Sequence, residues 1–245
     1  MHSDEPQRGP SRSAQSPANS GNGAAARNRE RRAAALREEM VEHQLLPKGI
    51  RDERVLRAMA EVPRHAFVLP EMFESAYGDY PLPIGQRQTI SQPYIVALMV
   101  EALELPGSGR VLEVGAGSGY QAAVLAQLAT HVYSIEYDRI LAAAVRERMK
   151  WMGLEEKVTI IEGDGSVGYS PAAPYNGLIV AAATPAIPDC FLNQLAEEGR
   201  LVIPVGERDF QELIQLRRTG GKSVSQGLGQ CRFVPLLGEN GWPED

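Results

Sequence analysis

The chain has 245 residues, 43% of them hydrophobic, and a formal net charge of −6 at pH 7. This length is sufficient for one large α/β domain or two small ones, and the negative charge argues against a protein held on nucleic acid by many phosphate contacts. No apolar stretch in the sequence reaches the length of a membrane span.

The cysteines and histidines give no indication of a metal site. Cys190 and Cys231 form no C-x-x-C pattern, and the four histidines lack metal-ligand spacing. We therefore expect reduced thiols and no metal. Because the N-terminal segment also lacks the apolar run of a secretory signal, we expect a cytoplasmic protein.

The first hundred residues contain a polar segment followed by helices. Residues 1–32 are rich in Ser, Pro, Gly, Ala, Asn and Arg and bury too little apolar surface to fold, which predicts a disordered tail. Apolar residues then recur at helical spacing between Leu36 and Leu45, and Asp52 is the expected N-cap of a second helix. Residues 77–89, which include two prolines, predict an irregular loop, and Ser91 is the expected N-cap of a third helix.

After Gly109, strand and helix patterns alternate. The predicted strands are Arg110–Gly115, His131–Tyr137, Val158–Asp164, Gly177–Ala183 and Arg200–Val205, and the predicted helices are Gln121–Ala129, Arg139–Met152 and Asp189–Glu197. This alternation predicts an α/β fold with a Rossmann-like, doubly wound, mostly parallel sheet. Near the end, Glu212–Arg218 and Cys231–Leu236 flank a Gly-rich turn and predict an antiparallel strand pair.

The loop that follows the first of these strands is the most informative segment. The apolar run Arg110–Val114 leads into Gly115-Ala116-Gly117-Ser118-Gly119 and then into a helical pattern. Glycines at such a turn let the backbone approach a nucleotide-type cofactor. A dinucleotide-binding loop has its third Gly or Ala one place later, where Tyr120 stands. The spacing therefore favours S-adenosylmethionine, which has no phosphates, over NAD; a tight structural turn is the alternative.

Two acids at the ends of the next strands extend this site. Glu136 follows the glycine loop by about 20 residues, where such folds place the carboxylate that accepts from the ribose hydroxyls. Asp164 lies between Gly163 and Gly165 after the third strand, where a carboxylate can accept from the adenine amino group. Alone, Asp164 would equally suit a turn.

These three elements resemble the class I S-adenosylmethionine-dependent methyltransferases, and further motifs resemble one branch, the protein-L-isoaspartate (D-aspartate) O-methyltransferases. The segment most specific to that branch is Gly85-Gln86-Arg87-Gln88-Thr89-Ile90-Ser91-Gln92-Pro93. The other matching segments are Val62-Pro63-Arg64 with Phe67-Val68, Glu162-Gly163-Asp164-Gly165, Ala182-Ala183-Thr184-Pro185, Gly199-Arg200-Leu201-Val202-Ile203-Pro204-Val205-Gly206 and Arg232-Phe233-Val234-Pro235-Leu236. The resemblance covers roughly Leu36 to Trp242.

The resemblance implies methyl transfer to the free carboxylate of L-isoaspartyl residues, and less efficiently of D-aspartyl residues, in damaged proteins. The ester then closes to a succinimide, which begins repair. It also implies that Ser91 is the catalytic serine and that the product cofactor is S-adenosylhomocysteine. The expected cofactor-binding residues are Thr89, Ile90, Ser91, Gln92, Gly115, Ala116, Gly117, Gly119, Glu136, Asp164 and Gly165.

The resemblance also implies a domain organisation and a set of partners. Residues 33–242 form one expected methyltransferase domain, with a helical substrate part at 33–109 and the Rossmann-like core at 110–242. We expect a monomer that acts on isoaspartyl-containing proteins and peptides and has neither nucleic acid nor a membrane as partner.

Two alternatives fit part of the sequence. A class I methyltransferase acting on a small molecule or on RNA would explain the glycine loop, Glu136 and Asp164, but not the segment Thr89-Ile90-Ser91-Gln92-Pro93. A non-catalytic adaptor that keeps the fold is expected to lose Glu136, Asp164 or Ser91, and all three are present.

Overall fold

The N-terminal part of the chain is built from helices and one hairpin. The structure, a computed structural model, describes residues 20–243. Its first elements are helix α1 (Ser20–Met40), helix α2 (Glu53–Glu61), strands β1 (Leu82–Gly85) and β2 (Gln88–Ile90), and helix α3 (Pro93–Glu101). The carboxylate of Asp52 accepts a hydrogen bond from the backbone N–H of Arg54 at 2.8 Å. The predicted N-cap of α2 is thereby confirmed.

Helix α1 includes part of the segment that was predicted to be a disordered tail. It begins at Ser20, so the prediction is wrong for residues 20–32, whereas residues 1–19 lie outside the described residues. Residues 24–32 are exposed, and Ala33 is the first fully buried side chain. The predicted disorder rested on poor burial, but the Ala, Arg and Glu residues of this segment are strong helix formers that need no core. Surface contacts also hold the helix, such as the Arg29 guanidinium, 4.3 Å from the centre of the Phe73 ring.

The segment predicted as an irregular loop contains an antiparallel hairpin. Strands β1 and β2 pair with Leu82 opposite Ile90, and the chain turns at Gln86 and Arg87, which have φ angles of 49° and 57°. Such angles usually favour Gly or Asn, and neither central residue of this turn is one of these, so the sequence did not predict the turn. Ser91 is not the N-cap of α3, because Gln92 occupies that position ahead of a proline at the first helical residue.

A seven-stranded sheet forms the centre of the molecule. The remaining elements are β3 (Arg110–Val114), α4 (Tyr120–Leu125), β4 (His131–Glu136), α5 (Arg139–Trp151), β5 (Val158–Glu162), β6 (Tyr175–Val180), α6 (Asp189–Gln194), β7 (Leu195–Glu207), β8 (Phe210–Thr219) and β9 (Lys222–Cys231). The strand order is β5-β4-β3-β6-β7-β8-β9. Strands β3 to β7 pair in parallel, and β8 and β9 are antiparallel. The predicted fold class is confirmed.

The centre of the parallel sheet is buried on both faces. In β3 the residues from Val111 to Val114 are all buried; Val111 belongs to one hydrophobic cluster, and Leu112 and Val114 belong to the cluster on the other face. This is why the strand reads as a continuous apolar run. The strand order reverses at β3, which lies between β4 and β6, and ligands of such folds bind outside the carboxyl ends at this point.

The last strand differs from its prediction. The partner of β8 is β9, Lys222–Cys231, rather than Cys231–Leu236. Nearly every residue of β9 is exposed, so the strand has no apolar alternation that would reveal it. The more apolar residues that follow β9 instead run parallel to the segment after β6. A single bridge between Ala183 and Pro235 joins the two segments.

Candidate active site

A cleft of about 1130 Å³ opens at the carboxyl ends of β3, β4 and β6. One side, which we call the cofactor wall, consists of Gly115–Ser118 with Glu136. A second part of the lining, which we call the hairpin wall, consists of Gln88–Gln92. Residues 208–209 and 230–237 also line the cleft, and we call them the rim. The volume exceeds the roughly 300–1,000 Å³ of a pocket for one small ligand, so the cleft has room for a cofactor and part of a second molecule.

The cofactor wall is held together by backbone hydrogen bonds to Glu136. This carboxylate is only 7% exposed, and its Oε2 accepts from the backbone N–H of Gly117 at 2.7 Å. Its Oε1 accepts from the backbone N–H of Asp138 at 2.9 Å. A carboxylate has about four acceptor positions. Glu136 therefore lines the cleft in a fixed orientation with acceptor capacity left for hydroxyl groups.

Asp164 lies at the edge of the site. Its neighbour Gly165 lines the cleft, whereas Asp164 is not among the described residues that do so. Its Oδ1 accepts from the N–H of Ser166 and its Oδ2 from the N–H of Glu239, each at 2.8 Å. Burial raises the pKa of Asp164, but these hydrogen bonds outweigh it and hold the pKa below its usual value. The side chain is therefore an oriented anion beneath the C-terminal turn.

Gly119 has a packing role in the structure. It is the N-cap of α4 with φ 83°, and it is not among the described residues that line the cleft. A Cβ at this position would stand 2.8 Å from Cγ1 of Val145 and 2.9 Å from Cε of Met149. The third glycine of the loop thus allows α4 to pack closely on α5. The other nine expected cofactor residues all line the cleft.

The hairpin wall brings Thr89, Ile90, Ser91 and Gln92 to the same cleft as the glycine loop. A Cβ on Gly117 would stand 3.8 Å from Cδ1 of Ile84 on β1, so the hairpin contacts the loop. The carbonyl oxygen of Ser91 accepts a hydrogen bond from Nη2 of Arg64 at 2.7 Å. The position of Ser91 therefore depends on a residue 27 places earlier in the chain.

Glu113 is buried directly beneath the cofactor wall. It is fully buried on β3, where the hydroxyl of Ser134 donates to its Oε2 and its Oε1 has no partner among the described residues. Burial raises the pKa of Glu113 to about 8, and the hydrogen bond from Ser134 opposes this shift. The carboxyl group is therefore mostly protonated at pH 7.

The rim contains lining residues that the sequence did not assign. Arg208 and Asp209 follow β7, and the guanidinium of Arg208 lies 5.3 Å from the centre of the Trp242 ring. The segment Arg232–Leu236 also lines the cleft. The match of this segment to a family motif was the signal available in the sequence, but that match did not assign a function to these residues.

Neither cysteine has an activated thiol, and the part of the chain that the structure describes contains no cluster suited to a metal ion. Both thiols are free and partly buried, and burial raises the pKa of Cys231 to about 11. Within residues 20–243, no group of three or more His, Cys, Asp or Glu side chains is placed to hold a metal ion. No helix in that range is long and apolar enough to cross a membrane.

The family is decided by comparison with known proteins. Residues 35–241 match the family model described as protein-L-isoaspartate(D-aspartate) O-methyltransferase (PCMT). The chain belongs to this family. Its predicted S-adenosylmethionine cofactor and its identity as a methyltransferase are confirmed with it.

Relatives named protein-L-isoaspartate O-methyltransferase align with most of this chain. The chain is 53% identical over 206 residues to the protein-L-isoaspartate O-methyltransferase of Methanoregula boonei, covering 84% of this chain and 94% of the relative. It is 50% identical over 206 residues to protein-L-isoaspartate O-methyltransferase 1 of Syntrophobacter fumaroxidans, covering 84% and 96%. Both relatives thus align over nearly their whole length.

Two solved PCMT structures share the fold. A protein-L-isoaspartate O-methyltransferase superposes with a TM-score of 0.74 at 28% identity, covering 83% of this chain and 66% of that longer one. A Plasmodium falciparum protein described as the same enzyme superposes with a TM-score of 0.70 at 25% identity, covering 84% and 98%. That second structure contains S-adenosyl-L-homocysteine, the demethylated form of the cofactor.

Proposed function

We propose that this PCMT family member methylates the free carboxylate of L-isoaspartyl residues, and less efficiently of D-aspartyl residues, in damaged proteins. The observation that carries the proposal is the shared cleft: the glycine loop, Glu136 and Thr89–Gln92 all line one cavity. A cofactor and an acceptor carboxylate can therefore meet there. The family description, which includes D-aspartate, supports the second substrate.

The residues of the cofactor wall fit S-adenosylmethionine. The buried, oriented carboxylate of Glu136 suits the ribose hydroxyls, and Gly115, Ala116 and Gly117 allow close approach of the backbone. Asp164 and Gly165 would bind the adenine end, with Thr89, Ile90, Ser91 and Gln92 closing the reactive end. Gly119 acts through packing. When bound, S-adenosylmethionine supplies a methyl group on a positively charged sulfur.

Ser91 is the proposed catalytic residue on the hairpin wall. A carboxylic acid with a reference pKa of about 3.9 is ionised at neutral pH, so the acceptor needs no base to activate it. What the site must provide is alignment and exclusion of water. The Ser91 hydroxyl would donate one hydrogen bond to the acceptor carboxylate, and its backbone is already held by Arg64.

Isoaspartyl-containing proteins and peptides are the proposed partners. The net charge of −6 supports a function without nucleic acid. We further propose a monomer located in the cytoplasm, with one catalytic domain over residues 33–242.

The deciding experiment measures transfer of a labelled methyl group to paired peptides that differ only in isoaspartate versus aspartate. An isoaspartyl residue presents its α-carboxylate as a short free branch, and a normal aspartate misplaces the carboxylate by about one methylene. Such a misplacement costs about 100-fold in a reaction that depends on near-attack geometry. Equal labelling of both peptides, or labelling only of RNA or small molecules, would contradict the proposal.

A further inference from the structure

Arg64 is a buried cation whose charge has no part in the function proposed above. It is completely buried, although arginine is almost never found so unless it is paired. No carboxylate in residues 20–243 forms a salt bridge with it, and its Nη1 has no hydrogen-bond partner there. The acid that influences it through space, Asp79, is ion-paired with Lys48. Burial lowers the pKa of Arg64 to about 10, so it stays protonated at neutral pH.

The guanidinium of Arg64 connects three parts of the molecule. Its Nη2 donates to the carbonyl oxygen of Ser91 and its Nε to that of Ala76, each at 2.7 Å. Its Cζ lies 4.9 Å from the centre of the Tyr120 ring, at the start of α4. Ser91 is on the hairpin wall, and Tyr120 also lines the cleft. Arg64 is not a lining residue itself, but it contacts two residues that are.

A buried charge without an ionic partner costs several kcal/mol in folding. Even buried ion pairs can often be replaced by well-packed apolar side chains without loss of stability, so stability alone is a weak reason to keep a buried charge. The two carbonyl groups and the Tyr120 ring explain part of its retention, but neutral donors could satisfy the carbonyls. The remaining feature of Arg64 is its positive charge, which its hydrogen bond to the main chain of Ser91 holds next to the residue proposed to bind the acceptor carboxylate.

We propose that Arg64 is a positioning residue of the hairpin wall, which fixes the main chain at Ser91 and places a buried positive charge beside the binding position of the isoaspartyl carboxylate. This inference rests on the proposed function of Ser91. Because Arg64 is fully buried and does not itself line the cleft, its charge would act on the substrate carboxylate through space rather than by direct contact. Inside the protein, where the effective dielectric constant is about 20, this attraction strengthens carboxylate binding by about tenfold or more.

Arg64→Lys and Arg64→Met separate the two parts of the proposal. Lysine keeps a point charge but cannot reproduce the planar fork that reaches both carbonyls. In Arg64→Lys we expect a lower kcat and little change in the KM of an isoaspartyl peptide. In Arg64→Met we expect the same loss of kcat together with a KM raised about tenfold. The Kd of S-adenosylhomocysteine should stay unchanged in both, because the cofactor wall is untouched.

A second measurement isolates the charge. The wild type and both variants are compared in their affinity for an isoaspartyl peptide and for its α-carboxamide analogue, which is uncharged. The preference for the carboxylate should fall about tenfold in Arg64→Met and persist in Arg64→Lys. Arg37→Met is the control, since the Arg37 side chain is mostly buried, with 14% exposed, but it contacts Tyr77 and Glu30 rather than Ser91. It should leave both quantities as in the wild type.

The outcomes distinguish this inference from the function on which it rests. If Ser91→Ala does not change kcat, the proposed role of Ser91 fails. If Ser91→Ala lowers kcat but Arg64→Lys does not, or if Arg64→Met keeps the carboxylate preference, the role of Arg64 is overturned. Should Arg64→Met not fold, the kcat of Arg64→Lys decides the positioning role alone.

Discussion

The two walls of the cleft are built in different ways. The cofactor wall is a strand end, a glycine loop and Glu136 from the adjacent strand, joined by short backbone hydrogen bonds. The hairpin wall depends on a distant residue, because Arg64 holds Ser91 across 27 positions of sequence. The difference teaches that cofactor binding relies on a local arrangement, while acceptor alignment relies on tertiary contacts. Substitutions in the first wall should therefore change cofactor affinity, and those in the second should change turnover.

The largest effect is expected from Ser91→Ala on the hairpin wall. Loss of one hydrogen bond that aligns the carboxylate in the transition state should lower kcat by about 10- to 1000-fold. The Kd of S-adenosylhomocysteine should change little. Steady-state kinetics with an isoaspartyl peptide and calorimetry measure the two quantities. Ser108→Ala, in the exposed turn before β3, is the control. Unchanged turnover in Ser91→Ala would show that the serine has only a structural role.

Glu136→Ala tests the cofactor wall. Removing a charge-assisted acceptor from a buried position should weaken binding of S-adenosylmethionine by about 1.5–3 kcal/mol. Calorimetric titration gives the affinity, and Glu162→Ala, at the exposed end of β5, is the matched control. An affinity equal to that of the control would exclude Glu136 from cofactor binding. A large change in kcat without a change in Kd would break the division between the two walls.

Gly119→Ala tests whether the third glycine of the loop acts through packing. The added Cβ would overlap Val145 and Met149, which should lower the free energy of unfolding by about 1–3 kcal/mol. Gly153→Ala has a similar positive φ, 66°, with no atom within 4 Å, so it reports the backbone strain alone. Chemical denaturation compares the two variants. Equal stabilities would mean that α4 and α5 adjust to the extra methyl group.

Glu113→Gln tests the buried acid beneath the cofactor wall through pH. The pKa of Glu113 in the folded state, about 8, lies above its ordinary value of 4.5, so folding favours the protonated form. Its contribution to stability is present in full below pH 4.5 and is lost as the pH rises towards 8. The wild type should lose stability relative to Glu113→Gln by at most about 1.4 kcal/mol per pH unit. Denaturation at several pH values, with Glu162→Gln as control, measures this slope. If the stability of the wild type and that of Glu113→Gln change with pH in the same way, the raised pKa of Glu113 is contradicted.

Local sequence patterns determined the sheet and the cofactor wall. The central strands β3 and β6 read as largely apolar runs because both of their faces are covered. Glu136 and the glycine loop were recognisable because their spacing along the chain corresponds to adjacent strand ends in space. The N-cap at Asp52 is equally local, since its hydrogen bond spans two residues. Family motifs, rather than spacing, directed attention to Ser91.

Tertiary structure alone decided the features whose partners are distant in sequence. The hairpin turns through Gln86 and Arg87 without a turn residue, and β9 pairs with β8 although its exposed sequence carries no apolar pattern. Asp164 is oriented by Glu239, 75 residues later, and Arg64 by carbonyls that only folding brings to it. Periodic burial and short-range hydrogen bonds can be predicted from a sequence, because both depend on residues that are near one another along the chain. The backbone group that satisfies a buried side chain cannot be predicted in this way, because it depends on how separate segments pack together.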